Sequence, residues 1–180
     1  MNSFVEKLLV IDIEASGLSP DSYPIEVGVH NLTDNEKVYA SFIKPLESWE
    51  HWDYNAEEVH NIPRDIAVSH GKESKEVCKK LNELLAGHTV ISDSVAFDGM
   101  WLDRLFEDSQ IEMKFKLVGV FNIVDPDFYK TLSLKLKNRV APHRAYADAQ
   151  QLSLIIKQVL DLQEKINERF NTSSMRYRYK

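Results

Sequence analysis

A single cysteine, Cys78, stands among the 180 residues. It excludes an internal disulfide. Its place in a helix-like stretch (73–86) beside Val77 and Leu81 marks a packed thiol rather than a nucleophile. No apolar run approaches the roughly 20 residues that a membrane-spanning helix needs. The opening stretch MNSFVEKLLVIDIE lacks the pattern of a secretory leader, because its apolar run carries two acids. Basic excess is missing as well: 22 Lys and Arg stand against 28 Asp and Glu, a net charge of −6. That argues against a wide basic groove for duplex nucleic acid. Internal repeats and low-complexity tracts are absent. What remains is an ordinary composition, 43% hydrophobic and 28% charged, with length enough for one domain and a real core. These features together predict a soluble cytoplasmic protein.

Hydrophobic patterning predicts strands near 7–14, 23–32, 36–44, 88–92 and 115–123, with a turn at Thr33–Asn35. Helices are expected near 55–60, 73–86, 96–107, 126–137 and 145–163, with Pro126 starting the fourth. The order βββαβαβαα predicts an α/β fold with a five-stranded mixed sheet flanked by helices. Residues 166–180 form a basic and aromatic tail, with Arg176, Arg178 and Lys180 alternating with Tyr177 and Tyr179. The tail is expected to be solvated and partly disordered.

Four carboxylates interrupt this apolar pattern. Asp12 and Glu14 end the run LLVIDI and share one face of a strand with Leu8 and Val10. Alone, the pair reads equally as solvated strand-end charge. Asp98 begins an apolar helical stripe continued by Trp101, Leu102 and Leu105, with Ser94 as the expected N-cap. Asp148 heads a second stripe through Leu152, Ile155, Ile156 and Val159. An ionised carboxylate on a buried face is costly unless a positive partner compensates it. Four of them from distant segments point to a shared partner, a pair of divalent cations. His143 is five residues before Asp148, and Pro142 argues against helix there. His143 is therefore placed on a loop reaching over the same site.

The stretches DIEASGL, the FD of VAFDGMWL, and HRAYAD resemble the three motifs of the DEDDh group of 3′–5′ exonucleases. The similarity covers roughly residues 8–160, implying an exonuclease domain over 1–165 and a ribonuclease H-like fold. PIEVGV (24–29) and EEVHNI (57–62) resemble further segments of the group. The resemblance implies that Asp12, Glu14, Asp98 and Asp148 bind two metal ions, Mg²⁺ or Mn²⁺, with His143 as general base. It also implies substrate contacts at Ala15, Ser16, Leu18, His60 and Phe97. One departure stands out: Asp93-Ser94 occupies the place where such proteins often carry His-Asn.

The chemistry agrees with that set of residues. Phosphodiester hydrolysis needs an activated water and neutralisation of charge on the attacking and leaving oxygens, which two hard cations about 3.5–4 Å apart supply. Hard cations favour carboxylate ligands, and histidine titrates near neutrality, as a base must. The expected activity is release of 5′-mononucleotides from single-stranded DNA or RNA with a free 3′ end, short oligonucleotides included. The cations would offset part of the acidic balance. Two other functions stay open: a non-catalytic nucleic-acid-binding module on this fold, and a phosphodiesterase acting on a small nucleotide. Trp49, Trp52 and Tyr54 form an aromatic cluster that suits core or base stacking. The choice between monomer and homodimer is also open.

Overall fold

The computed structural model describes residues 8–33 and 36–177, without the side chains of residues 170–177. The apolar run at 8–13 forms the central strand β1 (Leu8–Ala15), buried on both faces. It pairs antiparallel with β2 (Pro24–Asn31), which pairs antiparallel with β3 (Lys37–Lys44). On its other side β1 pairs parallel with β5 (Thr89–Ser92), and β5 pairs parallel with β6 (Lys116–Gly119). A two-residue strand β4 (Lys72–Glu73) closes the far edge against Ile43 and Lys44. Among the described residues the sheet thus has six strands, ordered β4-β3-β2-β1-β5-β6. The expectation of five missed β4, which is too short to show a period. The segment expected as strand 115–123 leaves the sheet after Gly119 and turns into a 3-10 helix at Val120–Asn122.

Among the described residues six α-helices flank the sheet: α1 (Tyr54–His60), α2 (Arg64–His70), α3 (Ser74–Leu85), α4 (Val95–Asp108), α5 (Tyr129–Lys137) and α6 (Ala145–Tyr177). The sequence pattern had not indicated α2, a two-turn helix after Pro63. Pro126 starts a 3-10 turn (Pro126–Phe128) rather than α5 itself. The α6 backbone continues to Tyr177, well past the expected 163. The tail's side chains from 170 onward lie outside the described residues, as do residues 34 and 35 of the expected turn. No helix among the described residues is long and apolar enough to cross a membrane.

The period of two along β1 divides the core. Leu9, Ile11, Ile13 and Ala15 face one cluster with Val77, Leu81, Leu102 and Leu105 from α3 and α4. Leu8 and Val10 face the other, with Leu152, Ile156 and Val159 from α6. Asp12 and Glu14 continue the second face. Cys78 is buried in the first cluster, a packed thiol pushed up in pKa by burial. Trp49 also belongs to the core, stacked on Tyr23 at 5.1 Å, whereas Tyr54 is exposed.

One glycine sets where α6 can lie. Gly28 pairs with Asp12 across β1 and β2, so the two share a face. A Cβ on Gly28 would stand 2.2 Å from the Tyr146 nitrogen and 2.3 Å from the Ala145 carbonyl carbon. Both are backbone atoms, so only a shift of the whole helix start would relieve the clash. Gly28→Ala is therefore expected to cost about 1–3 kcal/mol, as overpacking does. Thermal unfolding checks this; a variant with wild-type Tm would contradict it.

Candidate metal and nuclease site

The carboxyl ends of β1 and β5 lie side by side because the two strands are parallel. Asp12 and Glu14 sit near the end of β1, half-buried. A register shift between Glu14 and Ala15 ends the regular pairing there. From α6, Asp148 arrives on the same face. One carboxylate oxygen from each of Asp12, Glu14 and Asp148 lies within 4.8 Å of the other two. Asp98 enters from the first turn of α4, 2% exposed, at the head of the buried stripe Trp101, Leu102 and Leu105. It is outside that trio of oxygens, but its charge acts directly on Asp12.

Local hydrogen bonds fix these groups. The Ser92 hydroxyl donates to Asp98 and also accepts from the Ser94 backbone N–H at 2.8 Å. Ser94 occupies the N-cap position as expected, but its side chain makes no capping bond; its backbone carbonyl accepts from Phe97 and Asp98. Asp148 accepts from the Arg144 backbone N–H at 3.0 Å, and this ties the acid to the helix start. Glu26, opposite Glu14 on β2, grips the same loop. It accepts from Arg144 Nε at 3.1 Å, Arg144 Nη2 at 2.8 Å and the Ala145 N–H at 3.1 Å. His143 lies on the loop before α6, exposed, with φ 52° in the left-handed region that few non-glycine residues adopt.

Sequence reasoning missed Glu26 and Arg139. Glu26 left a signal, an acid inside the apolar run of β2. Arg139 left none: its role comes from a fold that sets it 3.1 Å from Asp93 and 3.9 Å from Asp148. Asp93, at the place of the departure from the His-Asn pattern, is thus ion-paired and adds negative charge beside the cluster.

The electrostatics are dominated by burial. Burial, then the charges of Asp98, Glu14, Asp148 and Asp93, hold the Asp12 carboxyl well above the ordinary range. Glu14 is pushed up to about 8 by burial and then by Asp148, Glu26 and Asp98, with Arg144 opposing. Asp98 is raised to about 7, chiefly by burial, against the Ser92 hydroxyl. Burial raises Asp148 too, although the Arg144 N–H, Arg139 and His143 pull it down. The Asp148 Oδ1 is buried and accepts no hydrogen bond. Repelling acids with an orphaned acceptor among them fit a divalent cation, and an all-oxygen donor set suits a hard one.

The expected substrate contacts are distributed around this edge. Ala15 and Ser16 are buried at the end of β1, and Leu18 projects beyond them, 66% exposed. Phe97 is exposed on the first turn of α4 and lies 5.7 Å from the Trp101 ring. His60 is buried, its Nδ1 accepting from the Ile62 N–H at 3.1 Å, and burial pushes its pKa down.

No family model and no curated protein matches the chain. Solved structures do. E. coli exonuclease I in complex with single-stranded DNA, in a zinc-bound form, gives a TM-score of 0.68 at 14% identity. The match covers 92% of this chain and 42% of that one. Exonuclease I from Methylocaldum szegediense gives 0.64 at 16% identity, over 88% of this chain and 41% of that one. The chain therefore spans less than half the length of these two proteins. The nuclease domain of 3′hExo, a DEDDh family member bound to rAMP, gives 0.67 at 19% identity. There the match covers 89% of this chain and 94% of that domain. The six-stranded mixed sheet and its flanking helices thus form the ribonuclease H-like fold of DEDDh-type 3′–5′ exonucleases.

Proposed function

We propose that this chain is a metal-dependent 3′–5′ exonuclease that removes 5′-mononucleotides from single-stranded DNA or RNA. The convergence of the Asp12, Glu14 and Asp148 carboxylates within 4.8 Å, with Asp98 beside them, carries the reading. Asp12, Glu14, Asp98 and Asp148 would hold two ions, Mg²⁺ or Mn²⁺. Bound there, the ions would supply charge neutralisation at the attacking and leaving oxygens and a more acidic water. His143 would take a proton from the attacking water as its oxygen bonds to phosphorus. The bond from phosphorus to the 3′-oxygen of the preceding nucleotide breaks. That oxygen takes a proton from solvent, and the released nucleotide keeps a 5′-phosphate. Glu26, through Arg144 and Ala145, holds the loop that carries His143. Of the expected contacts, Leu18 and Phe97 would meet the terminal nucleotide, offering exposed apolar surface to a base, whereas Ala15, Ser16 and His60 are buried. The same reading puts the enzyme in the cytoplasm.

Retention of every acid in the cluster favours catalysis over a binding-only module. The direct test is hydrolysis of 5′-labelled DNA and RNA oligomers with Mg²⁺ or Mn²⁺. A ladder shortening from the 3′ end is the expected product, and no cleavage with either ion overturns the proposal. His143→Ala is expected to lower kcat by about 10²–10⁴-fold, the range for loss of a general base. Mn²⁺ affinity, measured by calorimetry, should change little. Unchanged turnover, or lost metal binding, would count against the role of His143.

A further inference from the structure

We infer that the groove between α5 and the first half of α6 carries the single strand upstream of the reacting 3′ end. This rests on the nuclease reading and deepens it. Charge is sharply segregated in the chain. Residues 128–160 hold six basic side chains (Lys130, Lys135, Lys137, Arg139, Arg144 and Lys157) and one acid, Asp148, although acids outnumber bases 28 to 22 overall. These residues fold into α5, the loop after it and the start of α6, which pack together through Leu132, Leu152 and Ile156. Arg139 and Arg144 are paired with Asp93 and Glu26, and Lys130, Lys135, Lys137 and Lys157 leave a basic face on an acidic protein. Acids resume at Asp127 and Asp161, at the ends of α5 and of this stretch of α6 that lie away from the carboxylate cluster.

The face is grooved. A depression of about 400 Å³ runs between the helices, with Leu134, Lys135, Asn138, Arg139, Leu154 and Gln158 among its lining. Arg139, which lines it, lies 3.9 Å from Asp148 and so links the groove to the cluster. Arg139 Nη1 is buried without a hydrogen-bond partner. One turn away, Gln158 accepts from Lys135 Nζ at 2.7 Å. Leu134, Leu154 and Val140 are 53%, 42% and 83% exposed. Single-stranded nucleic acid offers regularly spaced phosphates and unpaired bases, and it binds where cations flank apolar contact surface. The nine residues of α5 span roughly 14 Å at 1.5 Å per residue, enough to reach past the terminal nucleotide.

The test compares Lys135→Glu/Lys137→Glu with Lys75→Glu/Lys79→Glu, the same charge change on α3 at the opposite face of the sheet. Fluorescence anisotropy of a 5′-labelled 20-mer, in an Asp12→Asn background, reads binding without turnover. The α5 pair is expected to raise Kd about ten-fold and to reduce the salt slope by about 1.4, two contacts at roughly 0.7 each for a single strand. The α3 pair should stay within two-fold. With Asp12 intact, the preference for a 20-mer over a dinucleotide, as a ratio of kcat/KM, should fall about ten-fold in the α5 pair. Equal weakening by both pairs, or equal loss on both substrate lengths, overturns the groove assignment. A Kd unchanged in the α5 pair also overturns it and leaves an acidic protein surface as the candidate occupant. Absence of any hydrolysis by the unmodified chain overturns the nuclease reading instead, and the anisotropy comparison still decides the groove.

Discussion

Asp12→Asn is expected to abolish oligonucleotide hydrolysis while making the metal-free protein harder to unfold at pH 8. Asp12 is one of the carboxylates that would hold the ions, and its loss would remove several kcal/mol of charge stabilisation. At 1.36 kcal/mol per tenfold, turnover should fall by about 10³-fold or more. The stability effect has the opposite sign. Asp12 sits half-buried among Asp98, Glu14, Asp148 and Asp93, and its folded pKa is raised well above the ordinary carboxylate value. A raised folded pKa contributes stability that is fully present below the unfolded pKa and is lost as pH rises through the folded value. Asparagine mimics the protonated acid at every pH, so the gain over wild type should grow from near zero at pH 4 to its largest at pH 8. Differential scanning calorimetry in EDTA, beside a turnover assay, measures both effects. Retained turnover, or a lower Tm at pH 8, would sink the assignment of Asp12.

Wild-type protein should show the complementary behaviour with metal. Glu14 is pushed up to about 8 and Asp98 to about 7, both chiefly by burial. Both directions are upward, so in EDTA the Tm should decline as pH rises from about 4 through 8. Divalent cations need the ionised carboxylates and compete with protons for them. Mg²⁺ or Mn²⁺ should therefore stabilise strongly at pH 8 and weakly at pH 5. At a hundred-fold excess over Kd the linkage contributes about 2.7 kcal/mol. For a chain of 180 residues this is roughly 5–10 °C in Tm. Thermal unfolding at pH 5, 6, 7 and 8, with EDTA or Mn²⁺, decides the matter. Equal stabilisation at pH 5 and pH 8, or none at all, would show that these acids are not metal ligands.

The cluster was legible in the sequence because each acid interrupts a regular apolar period. Leu8 and Val10 mark the face of Asp12 and Glu14, and Leu152, Ile156 and Val159 mark that of Asp148. Trp101, Leu102 and Leu105 do the same for Asp98. Pro142 correctly placed His143 before the helix rather than on it. Local patterning does not carry contacts made across the chain. Arg139 gains its place beside Asp93 and Asp148 only when α5 packs on α6, and Glu26 meets Arg144 across a separation of 118 residues. Strand β4 and helix α2 are too short for a period to register. The capping expectation put the side-chain bond on Ser94, whereas the hydroxyl used there is that of Ser92, two residues earlier in β5.

The four acids come from positions 12, 14, 98 and 148, on one strand and two helices. During synthesis the amino-terminal pair emerges long before Asp148, and Gly28 waits without the helix start that will cover it. A nascent chain can thus build most of the sheet with its charges still in water. The acids are therefore brought together only when α6 docks on the sheet.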